Sequence, residues 1–170
     1  MDRTMRCMLV ALLIVGCGFS GSGDSKDNKV LAQNVNSLAT LNNDYYAEGI
    51  KQLKNGNVQQ AVIDFERQVR DNPKDVRAYS VLGNIYMKAG KLHEAKIALE
   101  IAANLDQQSA EIYFSLTQCY DRMGERAKAV ESITKSMILY RQAGDEENFK
   151  RSAAILQVFK SQAAQSQAAQ

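Results

Sequence analysis

The 170-residue chain contains no tryptophan, one proline, one histidine and three cysteines. Each scarcity excludes something. A single histidine, His93, removes the usual general base and most transition-metal sites, which draw on several imidazoles or on paired thiolates. Cysteines at positions 7, 17 and 119 form no CxxC spacing, and they are too few for the disulfide framework of a small secreted domain. Charge of one sign is missing as well. The chain carries 21 Lys+Arg against 19 Asp+Glu, so no broad field favours nucleic acid or an acidic membrane. There is no HExxH, no GxSxG and no phosphate-cradling glycine loop followed by Lys-Ser/Thr. No catalytic residue, metal site or cofactor is therefore assigned. Asp145-Glu146-Glu147 is an acidic cluster, and the first turn of a helix accounts for it.

What is present begins with Arg3 and Arg6, followed by the apolar run Cys7 to Val15. The run is far shorter than the ~20 apolar residues of a membrane-spanning helix. A basic start and a short apolar centre have the layout of a secretory signal. Gly16, Gly18, Gly21 and Gly23 follow at once and exclude a continuing core helix.

The residues Ile14-Val15-Gly16-Cys17 resemble the lipobox of bacterial lipoproteins. That resemblance implies cleavage after Gly16 and a diacylglycerol on the Cys17 thiol, with further acylation of the freed amino group in many bacteria. It also implies an envelope location. Gly18, rather than the aspartate that commonly signals inner-membrane retention, points to the outer membrane facing the periplasm. The alternative is an ordinary signal cut near Ser20 or Ser22. Two or more acyl chains anchor stably where one does so only marginally. The Gly/Ser-rich segment after Cys17 reads as a flexible spacer. With Cys7 removed and Cys17 capped, Cys119 is left alone, as a buried small hydrophobe.

From Leu41 to Phe159 the chain is rich in Ala, Leu, Glu, Lys and Gln, which favour helix. It has no sustained period-two pattern of strand formers. It also repeats. Tyr45, Tyr79 and Tyr113 are spaced by 34 residues, as are Gly56, Gly90 and Gly124; Ala61, Ala95 and Ala129; and Phe65, Leu99 and Ile133. Each unit divides into two amphipathic stretches joined by a glycine turn. Tyr79, Leu82, Gly83 and Tyr86 share one helical face, and Ala95, Leu99 and Ala102 form the facing stripe.

The middle unit, Tyr79-x-x-Leu82-Gly83-x-x-Tyr86 followed by Ala95-x-x-x-Leu99 and Ala102, resembles the tetratricopeptide repeat. The third unit departs from it with Thr117 in place of glycine, the first with Glu48 and Gln52 in place of Leu and Tyr. The resemblance implies an all-α, right-handed α-solenoid of three helix pairs plus a C-terminal capping helix. The expected organisation is a signal peptide at 1–16, a lipidated start and linker at 17–40, and a repeat domain at 41–161. Within that domain the repeats fall at about 42–75, 76–109 and 110–143, and the cap helix at about 145–161. Phe149, Ala153, Leu156 and Phe159 form the stripe of the cap. The tail 162–170 is expected to be disordered, and Lys29 to Thr40 admits a short leading helix.

In this family the first helix of each pair lines a concave groove. The register assigns Tyr46, Ile50, Arg77, Asn84, Lys88, Phe114 and Gln118 to it as the partner-binding set, with Lys96 and Glu100 on the opposite, convex side. The positions of the carboxylate clamp of some eukaryotic members hold Tyr46, Ile50, Val81, Glu111 and Ser115 here, so the clamp is absent. The expected function is a non-enzymatic, lipid-anchored scaffold that binds a protein partner, as a peptide segment or a helix. The chain resembles repeat-containing envelope lipoproteins that help assemble type IV pili or secretin pores. Alternatives are a self-associating structural protein of the periplasm or an adaptor for cell-wall enzymes. No nucleic-acid partner is expected.

Overall fold

A computed structural model describes residues 44–168. The signal segment, Cys17, the linker and the region of Lys29 to Thr40 lie outside the described residues. Every regular element among the described residues is an α-helix: α1 Tyr45–Lys54, α2 Val58–Asp71, α3 Val76–Lys88, α4 Leu92–Leu105, α5 Ala110–Arg122, α6 Arg126–Gln142 and α7 Glu146–Ala168. The pairs α1/α2, α3/α4 and α5/α6 stack in chain order, and α7 packs along α6. The three-pair solenoid with a closing helix is the architecture expected from the period.

The helix boundaries follow from local chemistry. Asp44 accepts from the Ala47 amide at 3.2 Å, and Asp75 accepts from the Arg77 and Ala78 amides at 3.1 and 3.3 Å. Asp145 accepts from the Asn148 amide at 3.0 Å. Each satisfies donors that a helix start leaves without partners. The turns inside pairs end on Gly56, Gly90 and Gly124, at φ 79°, 77° and 75°, where a side chain would be strained. The next residue closes the turn. Asn57, Lys91 and Glu125 donate their amides to the Gln52, Tyr86 and Tyr120 carbonyls, each at 2.9 Å, the six-to-one bond of a Schellman cap. The turns between pairs are built differently, from Asn72-Pro73-Lys74-Asp75 and Asp106-Gln107-Gln108-Ser109.

The turn between α6 and α7 is of the first kind. Gly144 sits at φ 73° and the Asp145 amide donates to the Tyr140 carbonyl at 2.9 Å. For that reason α7 folds back on α6 as the second helix of a pair does on the first. Leu156 and Phe159 are buried and Phe149 and Ala153 half-buried, as the stripe predicts, and Ser152 is fully buried beside them. The helix runs to Ala168 rather than ending near 161 before a disordered tail. Its last turns are Ala, Gln and Ser with no glycine or proline, so nothing stops the helix once it has been nucleated below.

The centre of each pair is a close contact. Phe65, Leu99 and Ile133 have no exposed surface. A Cβ placed on Gly49 would lie 2.9 Å from the Phe65 ring, and one on Gly83 would lie 2.5 Å from Leu99 Cγ. The third pair holds Thr117 at this register, with its hydroxyl donating to the Tyr113 carbonyl at 2.8 Å. There the facing residue is the smaller-reaching Ile133. Two clusters form the core, one around Phe65 and Leu82 and one around Leu99, Leu116 and Ile133; Tyr79 and Tyr86 pack against both. Cys119 is a free, fully buried thiol that donates to the Leu92 carbonyl at 3.5 Å.

The contact at Gly83 is expected to be intolerant. Gly83→Leu should lower stability by about 1–3 kcal/mol or more, whereas His93→Ala, at an exposed position, should be nearly silent. Thermal melts followed by circular dichroism check both; a larger loss for His93→Ala would contradict this packing.

Candidate functional site

Repeats are joined by a bond that recurs with the same step. The Tyr86 hydroxyl donates to Glu66 Oε1 at 2.6 Å, and the Tyr120 hydroxyl donates to Glu100 Oε1 at 2.7 Å. In each case a tyrosine on the first helix of one pair reaches a glutamate on the second helix of the pair before. Burial, followed by the glutamate bond, pushes both hydroxyls well above the ordinary tyrosine range. A second recurrence lies within pairs. Arg67 stands over the Tyr45 ring at 5.8 Å, and Lys135 stands over Tyr113 at 4.2 Å and donates to its hydroxyl at 2.6 Å. Lys96 pairs with Glu125 at 3.4 Å, so Lys96 and Glu100 both tie neighbouring repeats together. A cleaner probe of their side of the stack is Ile97, at 56% exposure.

The seven expected contact residues separate into three groups along the stack. At the first, the Tyr46 ring meets Phe65 edge-on at 5.6 Å between centroids, and Ile50 packs on the same cluster. Arg77 lies over Tyr46 with its guanidinium carbon 4.4 Å from the centroid. It also grips Asp75 through Nε and Nη2 at 3.3 and 3.2 Å. Gln68 donates to the same carboxylate at 2.8 Å. Burial alone would raise the Asp75 carboxyl, but the bonds from Arg77, Gln68 and the Ala78 amide outweigh it and hold it below the ordinary range. Tyr46, Ile50 and Arg77 thus act first as a clasp between α1 and α3.

In the middle, Asn84 is half-buried and Lys88 exposed on α3. Among the described residues neither makes a side-chain hydrogen bond or ion pair. At the far end the structure brings Phe114 and Gln118 together in one groove of about 380 Å³ between α5 and α7. Thr117 and Asp121 share its α5 wall, and Ala154, Ile155, Val158 and Phe159 form its α7 wall. Arg151 stands over Phe114 at 4.7 Å and Arg126 over Phe159 at 4.5 Å. The α7 wall was not among the residues expected to form a site. Its signal is a surplus: Ile155, Val158 and Phe159, at i, i+3 and i+4, widen the apolar stripe beyond what packing on α6 requires.

Among the described residues no group of three or more His, Cys, Asp or Glu is placed to hold a metal ion, and no helix is long and apolar enough to cross a membrane.

A family profile described as a tetratricopeptide repeat matches residues 52–116. The described residues adopt an all-α solenoid fold of the tetratricopeptide-repeat type. Among curated proteins it is similar to Superkiller protein 3 of Schizosaccharomyces pombe, 29% identical over 87 residues, which is 51% of this chain and 6% of that protein. Among solved structures it is similar to the type III secretion translocator chaperone SycD of Yersinia enterocolitica, with TM-score 0.65 at 20% identity over 85% of this chain and 97% of that one. SycD has also been solved in complex with a peptide of the translocator YopD; against that structure the TM-score is 0.61 at 19% identity, covering 75% and 95% of the two chains. The TPR2B domain of yeast Sti1, in a complex with pHsp70, gives 0.63 at 17% identity, covering 70% and 95%. At these identities the likeness to solved structures is one of fold.

The inter-repeat tyrosines carry a pH signature. Because the folded hydroxyls of Tyr86 and Tyr120 are raised above the unfolded value, their stabilisation is present below about pH 10 and is lost as the pH rises beyond it. Spectrophotometric titration should show Tyr86 and Tyr120, together with Tyr140, whose hydroxyl burial also raises, ionising later than the other described tyrosines. Tyr120→Phe should remove one late step and cost about 0.5–1.5 kcal/mol. A single shared transition for all tyrosines would contradict the bond.

Proposed function

We propose that this protein is a non-enzymatic scaffold, anchored by lipid at Cys17 to a bacterial envelope membrane, that binds a segment of a partner protein along the face formed by α1, α3 and α5. The observation that carries the reading is the set Asn84, Lys88 and Gln118. These three polar side chains, two on α3 and one on α5, have no intramolecular partner among the described residues and are flanked by the aromatic rings of Tyr46 and Phe114. Partner-facing polar groups beside aromatic anchors are the composition of a binding surface, and stacked repeats present such a surface as one continuous strip. Similar folds in complexes, SycD with a peptide of the translocator YopD and the TPR2B domain of yeast Sti1 with pHsp70, support a peptide segment as the form of the partner.

The anchor adds concentration rather than contact. A domain tethered at a membrane meets any partner held at the same membrane at an effective concentration set by the linker. Assembly of an envelope machine such as a type IV pilus or a secretin is the process to which this arrangement is suited. Outer-membrane placement follows from Gly18 in the same proposal.

Two measurements test it. Cells labelled with a radioactive fatty acid should show label on the wild type and none on Cys17→Ala; equal label on both would remove the anchor. For the groove, Asn84→Ala with Lys88→Glu should weaken partner capture from crosslinked envelope, at about 1 kcal/mol or more per contact, with the melting temperature unchanged. Ile97→Asp should leave capture intact. The opposite pattern would move the partner to the α2/α4/α6 side.

A further inference from the structure

The groove between α5 and α7 has a floor that is apolar and open. Val158 is 50% exposed although it sits beside Phe159, which is buried at 6%. Its volume, about 380 Å³, lies within the range of sites that enclose a ligand or a few side chains. Water over such a floor gains little from it, and covering it releases apolar surface.

Two arginines border this floor, and their electrostatic states differ. Arg126 is neutralised: its Nη1 donates to Asp121 Oδ1 at 2.8 Å. Arg151 has no carboxylate partner among the described residues; its guanidinium carbon stands over the Phe114 ring, 4.7 Å from the centroid. A guanidinium held over an aromatic face by cation–π attraction can still offer its N–H donors to a carboxylate in two-pronged geometry. An apolar floor with one uncompensated cation at its border is complementary to a ligand with the reverse arrangement.

We infer that the α5/α7 groove is a specificity subsite for a peptide segment bearing a pair of apolar side chains next to an aspartate or glutamate: the apolar pair covers Ile155 and Val158, and the carboxylate pairs with Arg151. This rests on the reading of the α1/α3/α5 face as a binding surface and extends it onto α7, a helix that otherwise closes the stack. The carboxylate supplies selectivity and orientation, because a segment with a basic residue at that point sets like charges together. The paired Arg126 contributes no such preference.

The test is selection of a random peptide library displayed on phage against the full chain in detergent, repeated on R151E, R151K and V158D. The wild type should enrich peptides with two apolar residues beside Asp or Glu. R151K should keep that preference, and R151E should replace it with Lys or Arg and weaken the wild-type peptides about tenfold or more. V158D should lose them with no change in melting temperature, since the side chain is half exposed. Wild-type peptides without an acidic residue, or indifferent to R151E, would overturn the inference. Peptides lost on Asn84→Ala with Lys88→Glu but retained on V158D would place the subsite on α3, overturning this inference and leaving the wider groove intact. Failure to enrich any peptide would overturn both. A wild-type dimer that V158D converts to a monomer in sedimentation would assign the groove to a second copy of this chain and overturn it as well.

Discussion

The architecture depends on how closely the two helices of a pair can approach. At Gly49 and Gly83 the backbone of the first helix meets a large side chain of the second directly, with no Cβ in between. Phe65 and Leu99 fill the resulting space completely. Because the interior is packed to crystal-like density, the contact has no slack to absorb a methyl group. Everything outside the pair inherits its geometry from this point. The tilt of the first helix sets where Tyr86 and Tyr120 arrive, and so whether their hydroxyls reach Glu66 and Glu100. The third pair solves the same problem differently, with Thr117 turning its hydroxyl back to its own helix opposite a β-branched Ile133.

Stability is distributed in two layers that differ chemically. The close contacts at the centre of the pairs, Gly49 on Phe65 and Gly83 on Leu99, are apolar and insensitive to pH. Between pairs, shared apolar packing is joined by polar links: tyrosine to glutamate, Lys96 to Glu125, and the guanidinium of Arg122 to the Met87 carbonyl. In a stack where each unit touches only its neighbours, the second layer determines how strongly the units cooperate. Half-buried bonds of this kind define register as much as they add energy, since a hydroxyl reaches its carboxylate in one alignment only.

The fold was legible in the sequence because its signals repeat. Tyrosine, glycine, alanine and a large apolar residue, each on the same step, specify helix, turn and close contact together, and agreement among these levels makes a sequence readable. The turn glycines fell where the register placed them. The extent of α7 was misjudged for a local reason: a Gln/Ala tail resembles disorder by composition, yet its propensity is helical and nothing in it breaks the helix. The candidate site was only partly legible. Register locates the residues on a face but says nothing about what they touch. Tyr46 and Arg77 stack on one another across the α1/α3 boundary, and Lys96 and Glu100 tie repeats together; pairings at such separations have no short-range signature. The α5/α7 groove was missed because one of its walls belongs to a helix whose apolar residues were all assigned to capping.

The turn at Gly144 has a consequence for how such a chain can change over generations. Units inside the stack are interchangeable at their borders: each carries the same glycine turn between its two helices, receives a tyrosine from the unit after it and presents a glutamate to it. A duplication or deletion of 34 residues between α2 and α5 therefore keeps every junction in phase. The C-terminal border breaks that rule. Helix α6 is paired on both sides, with α5 through the Gly124 turn and with α7 through the Gly144 turn, and it carries Thr134 where the linking glutamate would stand. The array can thus lengthen or shorten by recombination within its body while the segment from α6 onward is inherited as one indivisible module.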